Sequence, residues 1–140
     1  MTASEKIFFD TAPFIYLIEN HPNYYSKVEQ FFVTIDQDDC ELITSVLSMA
    51  EYGVKPEKEN RQDLIADFDS LLVDFHFQVI DINVGIARKS YQLRAKYEFL
   101  KAMDALQLAT ALWIGCSRFF TNDKKLKKIE ELKVVLVEEL

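Results

Sequence analysis

Five short apolar runs alternate along this chain with longer segments whose apolar residues recur at helical spacing. The first, Lys6-Ile7-Phe8-Phe9, has no room to be a helix before Pro13. The others fall at Glu41–Thr44, Phe77–Ile80, Arg118–Thr121 and Val134–Val137. Unbroken runs of this length read as strands buried on both faces. Between them, the spacing predicts helices over Pro13–Glu19 and Tyr25–Asp36, the latter striped by Val28, Phe31, Phe32 and Ile35. A short helix built on Leu47, Met49, Ala50 and Val54 carries Glu51, and the polar stretch Lys55–Asn60 reads as a connector. Leu64–Phe75 is again helical, and Asn83 caps a helix with Val84, Ala87, Tyr91 and Leu93 on its apolar sides. Asp104–Ile114 is apolar on most faces and belongs against the sheet, and a short Lys-rich helix follows the fourth strand. Strands alternating with helices specify an α/β fold with a central, mainly parallel sheet flanked by helices.

The 140 residues suffice for one domain, taken here as residues 1–140, with a substantial core. Only three Gly and three Pro imply short connections. No stretch reaches the roughly 20 apolar residues that span a bilayer. The opening Met-Thr-Ala-Ser-Glu-Lys lacks the basic and apolar regions of a secretory signal. Cys40 and Cys116 show no metal spacing and read as reduced thiols, so a cytoplasmic location is expected.

Four acids stand where such a fold gathers side chains at one sheet edge. Asp10 ends the first strand, and Asp123 follows the fourth with Thr121-Asn122 between. Glu51 lies one helical segment past the second strand, and Asp104 opens the helix Ala105-Leu106-Gln107-Leu108-Ala109. Ligands of open parallel sheets bind outside the carboxyl ends of the strands. Singly, each acid is an ordinary helix cap or surface charge. Jointly they repel, by on the order of 4 kcal/mol for a pair about 4 Å apart at an effective dielectric near 20. Such a cluster calls for a cation. Oxygen-only ligands suit a hard ion such as Mg²⁺, whereas His21 and His76 lack zinc spacing. With no obvious nucleophilic Ser, Cys or His, the chemistry indicated is metal-assisted phosphodiester hydrolysis. Asp10-Thr11-Ala12 lacks the second acid of an Asp-x-Asp phosphohydrolase, and no glycine-rich loop with Lys exists to cradle a nucleotide.

Net charge is distributed unevenly. Residues 1–80 carry 5 Lys/Arg and 15 Asp/Glu, a net of −10, and residues 81–140 carry 11 and 8, a net of +3; together these give the −7 of the whole chain. An acidic protein can thus carry a local basic rim, which is what phosphate contacts respond to.

Around the four acids stand Phe8-Phe9-Asp10-Thr11, Thr44-Ser45-Val46-Leu47-Ser48-Met49-Ala50-Glu51, Met103-Asp104-Ala105-Leu106-Gln107-Leu108-Ala109-Thr110-Ala111 and Phe120-Thr121-Asn122-Asp123. In these pieces, their order and their spacing, the chain resembles the PIN-domain ribonucleases, most of all the VapC-type toxins of toxin–antitoxin pairs. The resemblance implies a compact α/β domain with a parallel sheet, Mg²⁺ or Mn²⁺ dependence and RNA cleavage. It also implies a small antitoxin partner and a homodimer. By the same resemblance, Asp10, Glu51, Asp104 and Asp123 form the catalytic and metal-binding quartet, with Thr121 the small hydroxyl residue beside the last acid. Asn122, Thr11 and Lys101 are further candidates for substrate contact, Lys101 being read first as a simply exposed lysine. Two alternatives stay open: a PIN-like interaction module without catalysis, and a metal-dependent DNA nuclease.

Overall fold

The structure, a computed structural model, describes residues 4–140. Its strands are β1 (Lys6–Phe9), β2 (Glu41–Ser45), β3 (Gln78–Ile80), β4 (Arg118–Thr121) and β5 (Lys133–Leu136). All pairings are parallel, in the order β3-β2-β1-β4-β5. The first strand is therefore central, and successive crossovers step outward from it to one side before jumping to the other. That reversal lies between β1 and β4, which is where an open parallel sheet leaves a crevice at the strand ends.

Six α-helices flank the sheet: α1 (Thr11–Ile18), α2 (Tyr25–Gln37), α3 (Val46–Lys58), α4 (Gln62–Asp74), α5 (Val84–Lys96) and α6 (Ala102–Ile114). Strand side chains alternate between the faces. Phe8 and Phe119 stack at 5.1 Å in the layer under α5 and α6, which adds Ile86, Leu93, Leu108 and Ala109. Ile7, Phe9 and Phe120 face the opposite way, into a layer with Phe14, Phe31, Phe32 and Phe68. This two-sided burial explains why the strands are unbroken apolar runs.

Local chemistry sets the helix boundaries. Asp10, Ser45 and Asn83 cap α1, α3 and α5, each side chain accepting a backbone N–H of the first turn. Gly115 closes α6 in the left-handed region at φ 87°. The helices of the other layer end without glycine: Asn20, Asp39, Asn60 and His76 follow α1 to α4 with φ between 52° and 56°. Asn and Asp tolerate that conformation better than other side chains. Short connections therefore coexist with very few glycines.

Three expectations need correction. The predicted connector Lys55–Asn60 is largely helix: α3 runs to Lys58 with Pro56 buried inside its last turn, where the proline ring fills core space. On α5 the buried residues are Ile86 and Leu93, while Val84 and Tyr91 are 68% and 58% exposed. Finally β5 spans Lys133–Leu136, one residue earlier than predicted, and Val137 opens a 3-10 turn over Val137–Glu139. The Lys-rich segment Lys124–Lys128 is likewise a 3-10 turn.

Candidate active site

The carboxyl ends of β1, β2 and β4 and the start of α6 bring the predicted acids to one edge of the sheet. Asp10 follows β1 directly, its N–H donating to the Phe120 carbonyl at 2.9 Å and thereby tying it to β4. Its Oδ1 accepts the Thr11 N–H at 2.8 Å, and its Oδ2 accepts the hydroxyl hydrogen of buried Thr121 at 2.8 Å. The Thr11 hydroxyl in turn donates to Glu51 Oε1 at 2.8 Å, so α1 links the acid of β1 to that of α3. Asp123 sits two residues past Thr121 and donates its N–H to the Thr121 hydroxyl at 3.2 Å. Its own carboxylate caps the Lys-rich turn by accepting the Lys125 N–H at 3.0 Å. Asp104 lies half-buried in the first turn of α6.

Their electrostatics couple. Burial pushes the Asp10 carboxyl above the ordinary range and the charge of Glu51 adds to that, while the Thr11 N–H, the Thr121 hydroxyl and the Gln107 amide pull it back. Asp104 is also raised, first by burial and then by the charges of Asp10 and Asp123, with Lys101 and Lys125 opposing. Electrostatic influence thus links Glu51 to Asp10, Asp10 to Asp104 and Asp104 to Asp123. None of them pairs with a cation among the described residues, although six other ion pairs form there. Carboxylates that form no ion pair among the described residues fit a hard divalent cation by their donor chemistry. In the present conformation, no group of three or more His, Cys, Asp or Glu side chains among the described residues stands ready to hold one ion. Glu51 is held off by Thr11, and Asp10 is held by Thr121.

The remaining sequence candidates separate. Asn122 donates to the Tyr16 hydroxyl at 3.2 Å and accepts the Glu138 N–H at 3.1 Å, so both ends of its amide are engaged structurally. Lys101 is exposed one turn before Asp104, near enough to lower its carboxyl. Sequence reading did not single out Lys125 for the site, yet its charge reaches Asp104 as that of Lys101 does. It also passed over Gln107, Ser45 and Ser48, which are at most 1% exposed and bonded to one another. A signal for Gln107 was present. It is a polar residue in a mostly apolar helix, three positions after Asp104 and hence on the same face.

The raised carboxyls set a pH dependence. Above the ordinary Asp value of about 3.9, and up to the raised folded values, the folded protein binds more protons than the unfolded chain. Stability of the metal-free fold therefore falls as pH rises through that window. Melting in EDTA from about pH 4 to about pH 7 should show a steeper loss for wild type than for Asp10→Asn. Parallel profiles would contradict a raised Asp10.

A PIN domain family model matches residues 7–132. No curated protein matches the chain. Among solved structures, the chain is similar to DNA-bound VapBC from Salmonella typhimurium, with 18% identity, a TM-score of 0.76, and coverage of 95% of this chain and 98% of that one. It is also similar to a toxin–antitoxin complex from Klebsiella pneumoniae, at 24% identity, TM-score 0.71, and 94% and 97% coverage. The sarcin–ricin loop cleaving toxin VapC20 of Mycobacterium tuberculosis aligns at 12% identity, TM-score 0.70, with 90% and 98% coverage. At these identities the likeness is one of fold.

Proposed function

The chain belongs to the PIN domain family, and from that premise we propose that it is a metal-dependent endoribonuclease, the toxin component of a toxin–antitoxin pair. Residues 1–140 then form one nuclease domain. What supports the reading is that Asp10, Glu51, Asp104 and Asp123 are linked pairwise by their charges near the β1–β4 crevice, with no ion pair to any of them among the described residues. The family is generally dependent on a divalent metal ion, and Mg²⁺ or Mn²⁺ is the ion proposed here. A divalent ion bound there supplies the positive charge that activates water and offsets charge on the phosphate.

In this reading Asp10, Glu51 and Asp104 are the principal metal ligands and Asp123 completes the set. Thr121 orients Asp10 through the 2.8 Å bond from its hydroxyl, and Thr11 does the same for Glu51. Lys101 and Lys125, neither of them in an ion pair among the described residues, flank Asp104 and are placed to meet substrate phosphates. Two neighbouring lysines of the Lys-rich turn are already paired, Lys124 to Glu138 at 3.4 Å and Lys127 to Glu139 at 2.9 Å. RNA therefore approaches over the α6 start and the Lys-rich turn. The solved relatives, two of them toxin–antitoxin complexes and one an RNA-cleaving toxin by description, support a small antitoxin partner and an RNA substrate. A cytoplasmic homodimer completes the proposal. No helix among the described residues is long and apolar enough to cross a membrane.

Matched single-stranded RNA and DNA incubated with Mn²⁺, with EDTA and with Asp10→Asn test this. The expected result is cleavage of RNA alone, lost in both controls. Preference for DNA would replace the substrate class, and inertness toward both would favour the non-catalytic module. Light scattering at micromolar concentration checks the dimer; a monomer there would refute it.

A further inference from the structure

We propose that Gln107 is a positioning residue for the acid site, the hub of a buried hydrogen-bonded clasp that sets the separation of Asp10, Glu51 and Asp104. This rests on the metal-dependent reading above.

The clasp has a fixed direction. Ser45 caps α3 by accepting the Leu47 N–H at 3.0 Å, which leaves its single hydroxyl hydrogen to go to Gln107 Oε1. With Oε1 committed to Ser45, Gln107 Nε2 turns toward Ser48 and donates to its hydroxyl at 2.7 Å. The Ser48 and Thr44 hydroxyls are 2.9 Å apart, and Thr44 donates onward to the Phe9 carbonyl at 2.8 Å. Since the one Thr44 hydrogen is spent on Phe9, the Ser48 hydrogen fills the link between them. The chain of donors runs α6 to α3 to β2 to β1 and stops at the peptide immediately before Asp10. All four polar side chains are at most 1% exposed, and no buried side-chain nitrogen or oxygen among the described residues lacks a partner.

Placement ties this clasp to the acids. Gln107 follows Asp104 by three residues on α6, and Ser48 precedes Glu51 by three on α3. The Gln107–Ser48 bond therefore joins the two helices about one turn from each acid. Its far end grips the residue preceding the third. Each member of the chain satisfies its neighbour, so removing one strands buried polar atoms on the others. Fully satisfied networks of this kind hold one arrangement rigidly.

The test is calorimetric titration of the metal-free protein with Mn²⁺, alongside RNA cleavage at saturating Mn²⁺. Groups that orient metal ligands typically contribute about 10- to 100-fold in affinity or activity. Gln107→Met should weaken Mn²⁺ binding by about that factor and lower kcat, with KM for RNA within about twofold of wild type. Ser48→Ala, which keeps the hub and removes one link, should move both quantities the same way by less. The double variant should be no worse than Gln107→Met alone, since both changes act through one chain. If Gln107→Met fails to fold, Ser48→Ala carries the test. A folded variant with wild-type Mn²⁺ affinity and kcat would overturn the proposal and reduce Gln107 to core filling. Wild-type protein that binds no Mn²⁺ would instead overturn the metal-dependent reading, and this inference with it.

Discussion

Asp104→Asn is expected to abolish divalent-metal-dependent RNA cleavage while making the metal-free protein more stable than wild type. The two effects share one cause. Asp104 is half-buried among like charges, and burial together with Asp10 and Asp123 already holds its carboxyl above the ordinary range. Removing its charge relieves that repulsion in the absence of metal, so the variant should melt above wild type in EDTA. With metal present the same charge is an asset. One unit charge about 4 Å from another contributes on the order of 4 kcal/mol at an effective dielectric near 20. Lost from the transition state, that is about a thousand-fold in rate. Melting curves in EDTA and in Mn²⁺, with cleavage rates at saturating Mn²⁺, measure both arms. A variant that cleaves within about tenfold of wild type, or that melts lower in EDTA, would count against Asp104 as a ligand.

Phe9→Ala carries the largest expected effect on stability. Phe9 is fully buried, and its ring lies 5.1 Å from those of Phe32, Phe77 and Phe120 and 5.7 Å from that of Phe14. Truncating a buried Phe typically costs about 3–5 kcal/mol, and a domain's total stability is about 5–15 kcal/mol. The variant should therefore lose a large share of its stability in urea unfolding, whereas Val73→Ala, at a site 71% exposed, should stay within about 0.5 kcal/mol of wild type. A loss below about 1 kcal/mol at Phe9 would mean that the aromatic layer repacks around the cavity.

Much of the fold was legible because parallel strands buried on both faces leave unbroken runs such as Ile7-Phe8-Phe9 and Phe119-Phe120. Helix starts were legible at Asn83 and at Asp10, where short polar side chains cap the first turn. Pro56 misled: a proline near charged residues reads as a break, and only tertiary packing shows it buried inside α3. Val84 and Tyr91 misled for a related reason, since spacing shows which residues share a helix face but not which face meets the core. For the site, position at strand ends and helix starts singled out Asp10, Glu51, Asp104 and Asp123, and the family pattern gave their roles. The bonds from Thr121 to Asp10 and from Thr11 to Glu51 lay outside what spacing conveys. So did the Gln107 clasp, whose members lie as far apart as Ser45 and Gln107.

The central position of β1 also has a consequence in time. Asp10 is synthesised before the neighbours that complete its environment, Thr121 at the end of β4 coming 111 residues later. At about 5–20 residues per second, that is a delay of about 6–20 s. No N-terminal portion of the chain can assemble the crevice, because one of its walls is β4 and one of its acids is Asp123. A chain that cuts RNA while still being translated would endanger its own message. Here the strand order keeps the proposed site incomplete until β4 and Asp123 have been made.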